Sequence, residues 1–199
     1  MKSVETQACD IILVHRRWRG YRNEVGHWGS YFLSWRIQKA TRSKWNHAAL
    51  MLDDDILIEA VKVIRAIPLS YYSDDKDKYE IKVLRYPELS ETQKEDIAKW
   101  AKFRLNEKYD WTAIIRMRLA LYVGGLIGAK FMLDNINDNQ WICSEFIQEA
   151  YRQAGIGFQA GLMTPADFDR LPCFEVIYDS SQIKPVETSQ VSFVEKPPL

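Results

Sequence analysis

The sequence has few of the residues that build special, non-globular folds: three cysteines, nine glycines and seven prolines among 199 residues. Cys9, Cys143 and Cys173 are odd in number and form no CxxC pair, which argues against both a disulfide framework and a structural zinc site. So little glycine and proline excludes collagen-like and low-complexity proteins, and 47% hydrophobic residues are enough to build a core. We expect one globular domain over residues 1–180 and a loosely held tail over 181–199.

An excess of either charge is also absent, because 27 Lys and Arg residues balance 27 Asp and Glu residues. A neutral chain has no global field that attracts polyanions, so nucleic acid is not expected as a partner. No apolar segment follows Lys2, so the sequence shows no secretory signal and predicts a cytoplasmic protein. The most apolar stretch, residues 119–129, is too short to span a bilayer, and no transmembrane segment is predicted.

Short apolar or alternating runs predict several β-strands. The acidic triplet at residues 53–55 is typical of a turn, so the two runs on either side of it predict a β-hairpin. Residues 62–78 carry no clear pattern. The predicted strands are 10–14, 46–52, 56–61, 79–86 and 174–179.

Helices are predicted mainly in the second half of the chain. Ser90 and Gln93 form a capping box, and apolar residues at helical spacing follow it over 91–105. Residues 141–154 predict a helix that ends at Gly155, and Thr164–Pro165 has the pattern of a helix N-terminus. A further helix is predicted over 112–132. The fold class is therefore α+β, an antiparallel sheet or barrel packed against helices.

Cys143 is the first candidate for chemistry. It lies in the first turn of the helix predicted at 141–154, where unpaired N–H groups and the helix dipole stabilise a thiolate. A free cysteine taken alone is more often a small buried hydrophobic residue. The candidate base is His47, which lies in a predicted strand, whereas His15 and His27 lie in irregular polar sequence. A histidine in an apolar strand is itself more often a hydrogen-bonded core residue.

The length of the hairpin loop decides whether His47 has a carboxylate beside it. With a three-residue loop, Leu52 pairs with Ile56 and Ala49 lies opposite Glu59. His47 and Glu59 then point to the same face as diagonal neighbours, within reach of each other. A two-residue turn would put them on opposite faces. Because an acid among apolar residues needs a partner, the pattern favours an imidazole oriented by Glu59 and acting on a thiol.

Several short motifs carry a resemblance to a known family. They are Asp10–Leu13 (DIIL), Ser43–Leu50 (SKWNHAAL), Ile58–Ala60 (IEA), Tyr109–Trp111 (YDW), Cys143–Phe146 (CSEF) and Thr164–Asp167 (TPAD). Together they resemble the circularly permuted NlpC/P60, YiiX/YebB-like papain-fold cysteine hydrolases, over most of residues 9–179. In that family the histidine strand precedes the cysteine helix, the reverse of the order in papain, and the order here is the same.

The resemblance implies a permuted papain-like α+β fold with Cys143 as nucleophile, His47 as general base and acid, and Glu59 as the orienting third residue. Tyr109 matches a recurrent aromatic residue near the family's cleft. The resemblance implies that it contacts the oxyanion or the substrate, and the alternative is ordinary core packing. Cys9 stands where the family often has glycine before the first strand, which alters a turn and no proposed catalytic atom.

Three functions remain open from the sequence. The leading one is a thiol hydrolase that cleaves an amide bond (peptide, isopeptide or N-acyl) or an ester through an acyl-enzyme. The second keeps the triad but acts on lipids as an acyltransferase or deacylase, with peripheral lipid contact through residues 119–133. The third is a non-catalytic papain-fold binding module. No cofactor and no metal are expected, because there is no HExxH motif and the histidines offer no ligand pair.

Overall fold

The computed structural model describes residues 5–17, 38–39, 41–61, 63–107, 143–158 and 163–182. Four predicted features lie outside these residues: Tyr109, the helix at 112–132, the segment 119–133 and the tail beyond residue 182.

The described chain combines one sheet with helices, as the sequence predicts. The strands are β1 Ile11–Arg16, β2 His47–Met51, β3 Ile56–Ala60, β4 Ile64–Pro68, β5 Tyr79–Arg85 and β6 Glu175–Asp179. The helices are α1 Ser70–Ser73, α2 Glu91–Phe103, α3 Cys143–Gln153 and α4 Pro165–Phe168, and a short 3-10 turn covers Ser180–Gln182. The six strands form an antiparallel sheet in the order β4-β3-β2-β1-β5-β6. All five predicted strands are present, and the α+β class is confirmed.

Both faces of the central strands are buried. Successive side chains of a strand point to opposite faces, so Leu13 of β1 packs with Phe146 of α3 while Val14 lies in the cluster on the other face. The second cluster also holds Tyr72 of α1. Burial on both sides explains why β1 and β2 read as continuous apolar runs rather than as an alternating pattern.

Strand β4, like helix α1, is an element that the sequence did not predict. It falls within residues 62–78, pairs only with β3 among the described strands, and ends at Pro68. Of its five residues only Ile64 is buried, so its apolar signal is weak. A strand at the edge of a sheet buries less of its surface and leaves less of a pattern to detect. Its position nevertheless matters, since β4 places Arg65 directly opposite Glu59.

Two helix ends follow their sequence signals. The Gln93 N–H donates to Oγ of Ser90 at 3.3 Å and the Ser90 N–H donates to Oε1 of Gln93 at 3.1 Å, which is the predicted capping box. Helix α3 ends as predicted before Gly155, whose φ of +80° is easily adopted by glycine. The Ile156 N–H then donates to the Tyr151 carbonyl at 3.1 Å, which closes a Schellman motif.

Cys9 occupies a left-handed backbone position just before β1, with a φ of +69°. Glycine adopts this conformation without steric cost, which explains why glycine suits this turn. Cys9 in its place affects the backbone of the turn only. The side chain of Cys9 is 1% exposed, and its Sγ donates to the Lys94 carbonyl of α2 at 3.5 Å. The Tyr151 hydroxyl donates to the Cys9 carbonyl at 2.7 Å, so α3 also ties down this turn.

Candidate active site

The loop between β2 and β3 settles whether His47 and Glu59 share a face. The Leu52 N–H donates to the Ile56 carbonyl at 2.8 Å, which closes a loop of the three residues between them. The Asp53 carboxylate accepts from the Ile56 N–H at 2.7 Å and holds the loop in this form. Of the two registers that the sequence left open, the structure has the one with three loop residues, which puts the two side chains on one side of the sheet.

His47 and Glu59 are in direct contact. Nε2 of His47 lies 2.7 Å from Oε2 of Glu59. The Glu59 side chain is completely buried and that of His47 is 18% exposed. A carboxylate at this distance holds the ring by accepting from Nε2–H, which leaves Nδ1 for a second partner.

The second partner of His47 is the thiol of Cys143, the first residue of α3. The geometry therefore brings together all three residues of the predicted Cys-His-Glu group. Cys143 is 7% exposed and therefore buried. Its position at the helix N-terminus adds the favourable field of the helix dipole for a negative charge.

A backbone N–H of β2 also reaches the sulfur. Pairing between β2 and β3 covers Leu50 with Ile58 and Met51 with Leu57. Alternate N–H groups of β2 point toward β3, and the one at Ala48 lies beyond the last of these pairs. It donates instead to the sulfur of Cys143, as does the N–H of Ser144. The end of the strand ladder thus provides a hydrogen bond for a thiolate.

The pKa values of the thiol and the imidazole shift in opposite directions. Burial alone would raise the pKa of Cys143, but the hydrogen bond and charge of His47 lower it below its ordinary value. Burial alone would lower the pKa of His47, but hydrogen bonds with Cys143 and Glu59 raise it to about 10. These directions describe a thiolate paired with an imidazolium.

The environment of Glu59 includes two residues that the sequence did not predict. Arg65 of β4 donates from Nε to Oε1 of Glu59 at 2.8 Å, and the Tyr72 hydroxyl of α1 donates to Oε2 at 2.6 Å. Burial would raise the pKa of Glu59, but its bonds with His47, Tyr72 and Arg65 hold it at about 2. Once β4 is recognised as a strand, its register with β3 predicts that Arg65 lies opposite Glu59. No feature of the sequence predicts the contact between Tyr72 and Glu59.

His15, a candidate base set aside in favour of His47, was expected in irregular sequence, but β1 extends to Arg16 and includes it. Val14 is the residue opposite His47, so the side chain of His15 points to the other face of the sheet. Its Nδ1 is 3.2 Å from the side-chain amide of Gln38, and burial lowers the pKa of its ring. Within the described ranges, no group of three or more His, Cys, Asp and Glu residues is placed to hold a metal ion. No helix in this part of the chain is long and apolar enough to cross a bilayer.

Comparisons with known proteins identify the fold and the family of this chain. The chain is 28% identical over 177 residues to the probable lipoprotein peptidase YaeF of Escherichia coli strain K12, covering 76% of this chain and 62% of that protein. The match therefore spans less than two thirds of the relative's length. The crystal structure of the metalloprotein YiiX from Escherichia coli O157:H7 has the same fold, with a TM-score of 0.61 at 18% identity over 88% of this chain and 98% of that one.

A family model also matches the chain over residues 8–170. This span contains every described element except β6 and the 3-10 turn that follows it. The protein thus belongs to the permuted papain-like amidase enzymes of the YaeF/YiiX type, the C92 peptidase family.

Proposed function

We propose that the protein is a cysteine hydrolase that cleaves an amide bond through an acyl-enzyme on Cys143. The observation that carries the proposal is the position of His47, which contacts the thiol of Cys143 and, through Nε2, the carboxylate of Glu59 at 2.7 Å. This is the arrangement of nucleophile, base and orienting residue that thiol catalysis requires. Membership of an amidase family supports an amide as the substrate bond.

In the acylation step, the thiolate of Cys143 attacks the carbonyl carbon and a C–S bond forms. The negative charge moves from sulfur to the carbonyl oxygen. The imidazolium of His47 then donates its proton to the leaving nitrogen, the C–N bond breaks, and the amine leaves. Glu59 keeps the ring in place and stays ionised, since its pKa is about 2.

In the deacylation step, neutral His47 accepts a proton from a water molecule, which attacks the thioester carbonyl. The C–S bond breaks, the acid product leaves, and the pair of thiolate and imidazolium is restored. We assign oxyanion stabilisation to the Cys143 N–H and to Tyr109, as the family resemblance suggests. Tyr109 lies outside the described residues, so its part in the reaction remains a proposal.

A peptide or N-acyl amide fits this scheme better than the alternatives. The lipid alternative depends on residues 119–133, outside the described ranges, and no described contact favours it. The carboxylate of Glu59 is not available as a metal ligand, because both of its oxygens already accept from protein donors. The name of the relative YaeF, a probable lipoprotein peptidase, suggests a peptide bond as the first substrate to test.

The test compares Cys143→Ala with Cys173→Ala, which removes a partly exposed thiol. Aminomethylcoumarin amides of single amino acids, N-acyl amino acids and short peptides serve as substrates. We expect hydrolysis in the wild-type protein and in Cys173→Ala, and none in Cys143→Ala. Mass spectrometry should detect the acyl group on Cys143, and its release to water rather than to an added amine distinguishes a hydrolase from a transferase. Hydrolysis that survives Cys143→Ala would eliminate the proposal.

A further inference from the structure

The carboxylate of Glu59 accepts more hydrogen bonds than are needed to orient the ring of His47. Oε1 faces Nε and Nη2 of Arg65 at 2.8 and 2.7 Å. Oε2 faces the Tyr72 hydroxyl at 2.6 Å and Nε2 of His47 at 2.7 Å. A carboxylate has about four lone-pair sites, so these contacts occupy all of them. Only the contact with His47 leads to the nucleophile, and the other three come from residues with no place in the reaction.

These additional donors offset the free-energy cost of burying a charged carboxylate. The Glu59 side chain is completely buried, and burial favours the neutral form of a carboxyl group. A protonated Glu59 would remove the negative charge that supports the imidazolium of His47. The imidazolium would then transfer its proton more readily to the thiolate of Cys143, and the ion pair would become a neutral thiol and a neutral imidazole. The ionisation of Glu59 is therefore linked to the state of the sulfur, although the two groups are not in contact.

We propose that Arg65 and Tyr72 are positioning residues that keep Glu59 ionised and thereby set the lowest pH at which Cys143 remains a thiolate. The inference rests on the proposed function, since it concerns the same thiol. Arg65 supplies a full positive charge and two N–H groups, whereas Tyr72 supplies one neutral O–H group. We therefore expect Arg65 to have the larger effect.

The groups that face this site come from several elements. Their charges alternate from Arg65 through Glu59 and His47 to Cys143, so each charge is next to one of opposite sign. Tyr71 and Tyr79 stack edge-on against Tyr72 at 5.0 and 4.9 Å and hold its ring in place. The ionisable groups are His47 from β2, Arg65 from β4, Tyr71 and Tyr72 from α1, Tyr79 from β5 and Cys143 from α3.

The experiment measures the alkylation rate of Cys143 by iodoacetamide from pH 3 to pH 9, resolved by residue with mass spectrometry. In Tyr72→Phe the acid midpoint of the rate should move up by about one pH unit, as expected for one hydrogen bond to a charged group. In Arg65→Gln it should move up by about two units, because a charge is lost as well. Arg65→Lys should restore part of the difference, since it keeps the charge but loses the planar two-donor geometry.

Tyr178→Phe is the matched control, because it removes the same hydroxyl from a tyrosine that packs on the same face of the sheet. It should leave the midpoint unchanged. The Arg65 side chain is 41% exposed, so its substitution should leave a folded protein, to be checked by circular dichroism. If Arg65→Gln does not fold, Tyr72→Phe decides the question, because phenylalanine retains the aromatic packing.

The outcomes separate the inference from the proposed function. A wild-type midpoint well below pH 7 that does not move in Tyr72→Phe and Arg65→Gln overturns the role of Arg65 and Tyr72 and leaves the nucleophile in place. A wild-type Cys143 that reacts only above pH 8 overturns the proposed function itself. A shift that is equal in Tyr178→Phe shows a general effect of the substitution and also overturns the inference.

Discussion

Cys9 and Cys143 are both buried thiols, yet their pKa values move in opposite directions. Cys9 donates to the Lys94 carbonyl at 3.5 Å, and burial raises its pKa to about 12. Cys143 faces an imidazole and two backbone N–H groups, and its pKa falls below the ordinary value. The sulfur of Cys9 faces a hydrogen-bond acceptor, whereas the sulfur of Cys143 faces hydrogen-bond donors.

The difference shows that burial by itself does not decide whether a thiol is inert. Burial disfavours the thiolate at both positions. At Cys143 the donors are more than enough to offset it, because His47 is held in place by Glu59 and can carry a positive charge. At Cys9 the charge of Lys94 also lowers the pKa, but it does not offset burial and the nearby charges of Asp10 and Glu91, and the thiol packs in the core.

The largest effect should come from removing the cation. In His47→Gln, the pKa of Cys143 should rise above its ordinary value, because burial then acts without the imidazolium that offsets it. We expect the ratio of its iodoacetamide reaction rates at pH 6 and pH 9 to fall by about 10²-fold or more. Residue-resolved mass spectrometry measures this ratio. Cys9 is the internal reference, and a ratio for Cys143 that does not change would contradict the account of the two thiols.

The next effect concerns acid stability. The pKa of Glu59 is about 2 in the folded protein, against an ordinary value of 4.5. A lowered carboxyl pKa stabilises the fold above about pH 4.5, and this stabilisation is lost as the pH falls toward 2. The total is about 3 kcal/mol for a shift of this size. Urea unfolding between pH 5 and pH 2.5 should show a weaker pH dependence in Glu59→Gln than in the wild type. Equal slopes would contradict the assignment.

A smaller effect should distinguish the turn at Cys9 from the reactive site. Cys9→Ala removes the buried sulfur and keeps the positive φ, so it should lower the free energy of unfolding by about 1–2 kcal/mol. Cys9→Gly loses slightly more packing but relieves the backbone, so we expect it to be at least as stable as Cys9→Ala. Amide hydrolysis should be unchanged in both variants. A large loss of activity would show that Cys9 belongs to the site.

The smallest effect should come from the cap of α2, the helix that supplies the acceptor for Cys9. Ser90→Ala removes the oxygen that accepts from the Gln93 N–H, and should cost about 1 kcal/mol in unfolding by urea. Ser90→Asp keeps an acceptor and should cost less. Neither variant should alter the alkylation profile of Cys143, and a shift there would mean that the two regions are coupled.

Much of the fold was predictable because its signals are local. The apolar runs of β1, β2 and β3 are visible in the sequence, and the acidic triplet at residues 53–55 identifies the turn between β2 and β3. Strand side chains alternate with a period of two, so the sequence predicted that His47 and Glu59 share a face if the loop has three residues. The structure confirmed this register and the resulting hydrogen bond.

The surroundings of Glu59 were not predictable in the same way. Arg65 lies on a strand with little apolar pattern, and its contact depends on the register of the second hairpin. Tyr72 lies on a helix of only four residues, too short for any periodicity. The Ala48 N–H reaches sulfur because the β2–β3 pairing stops short of it, and the sequence carries no sign of where that pairing stops.

The sequence by itself determined which residue types are available and which of them share a strand face, because turn chemistry and side-chain alternation act over a few neighbouring residues. Only the tertiary structure decided that the sulfur of Cys143 meets the ring of His47 and that Glu59 is held ionised by Arg65 and Tyr72. The physical reason is that a pKa depends on desolvation and on charges a few ångströms away, and here those charges come from remote parts of the chain.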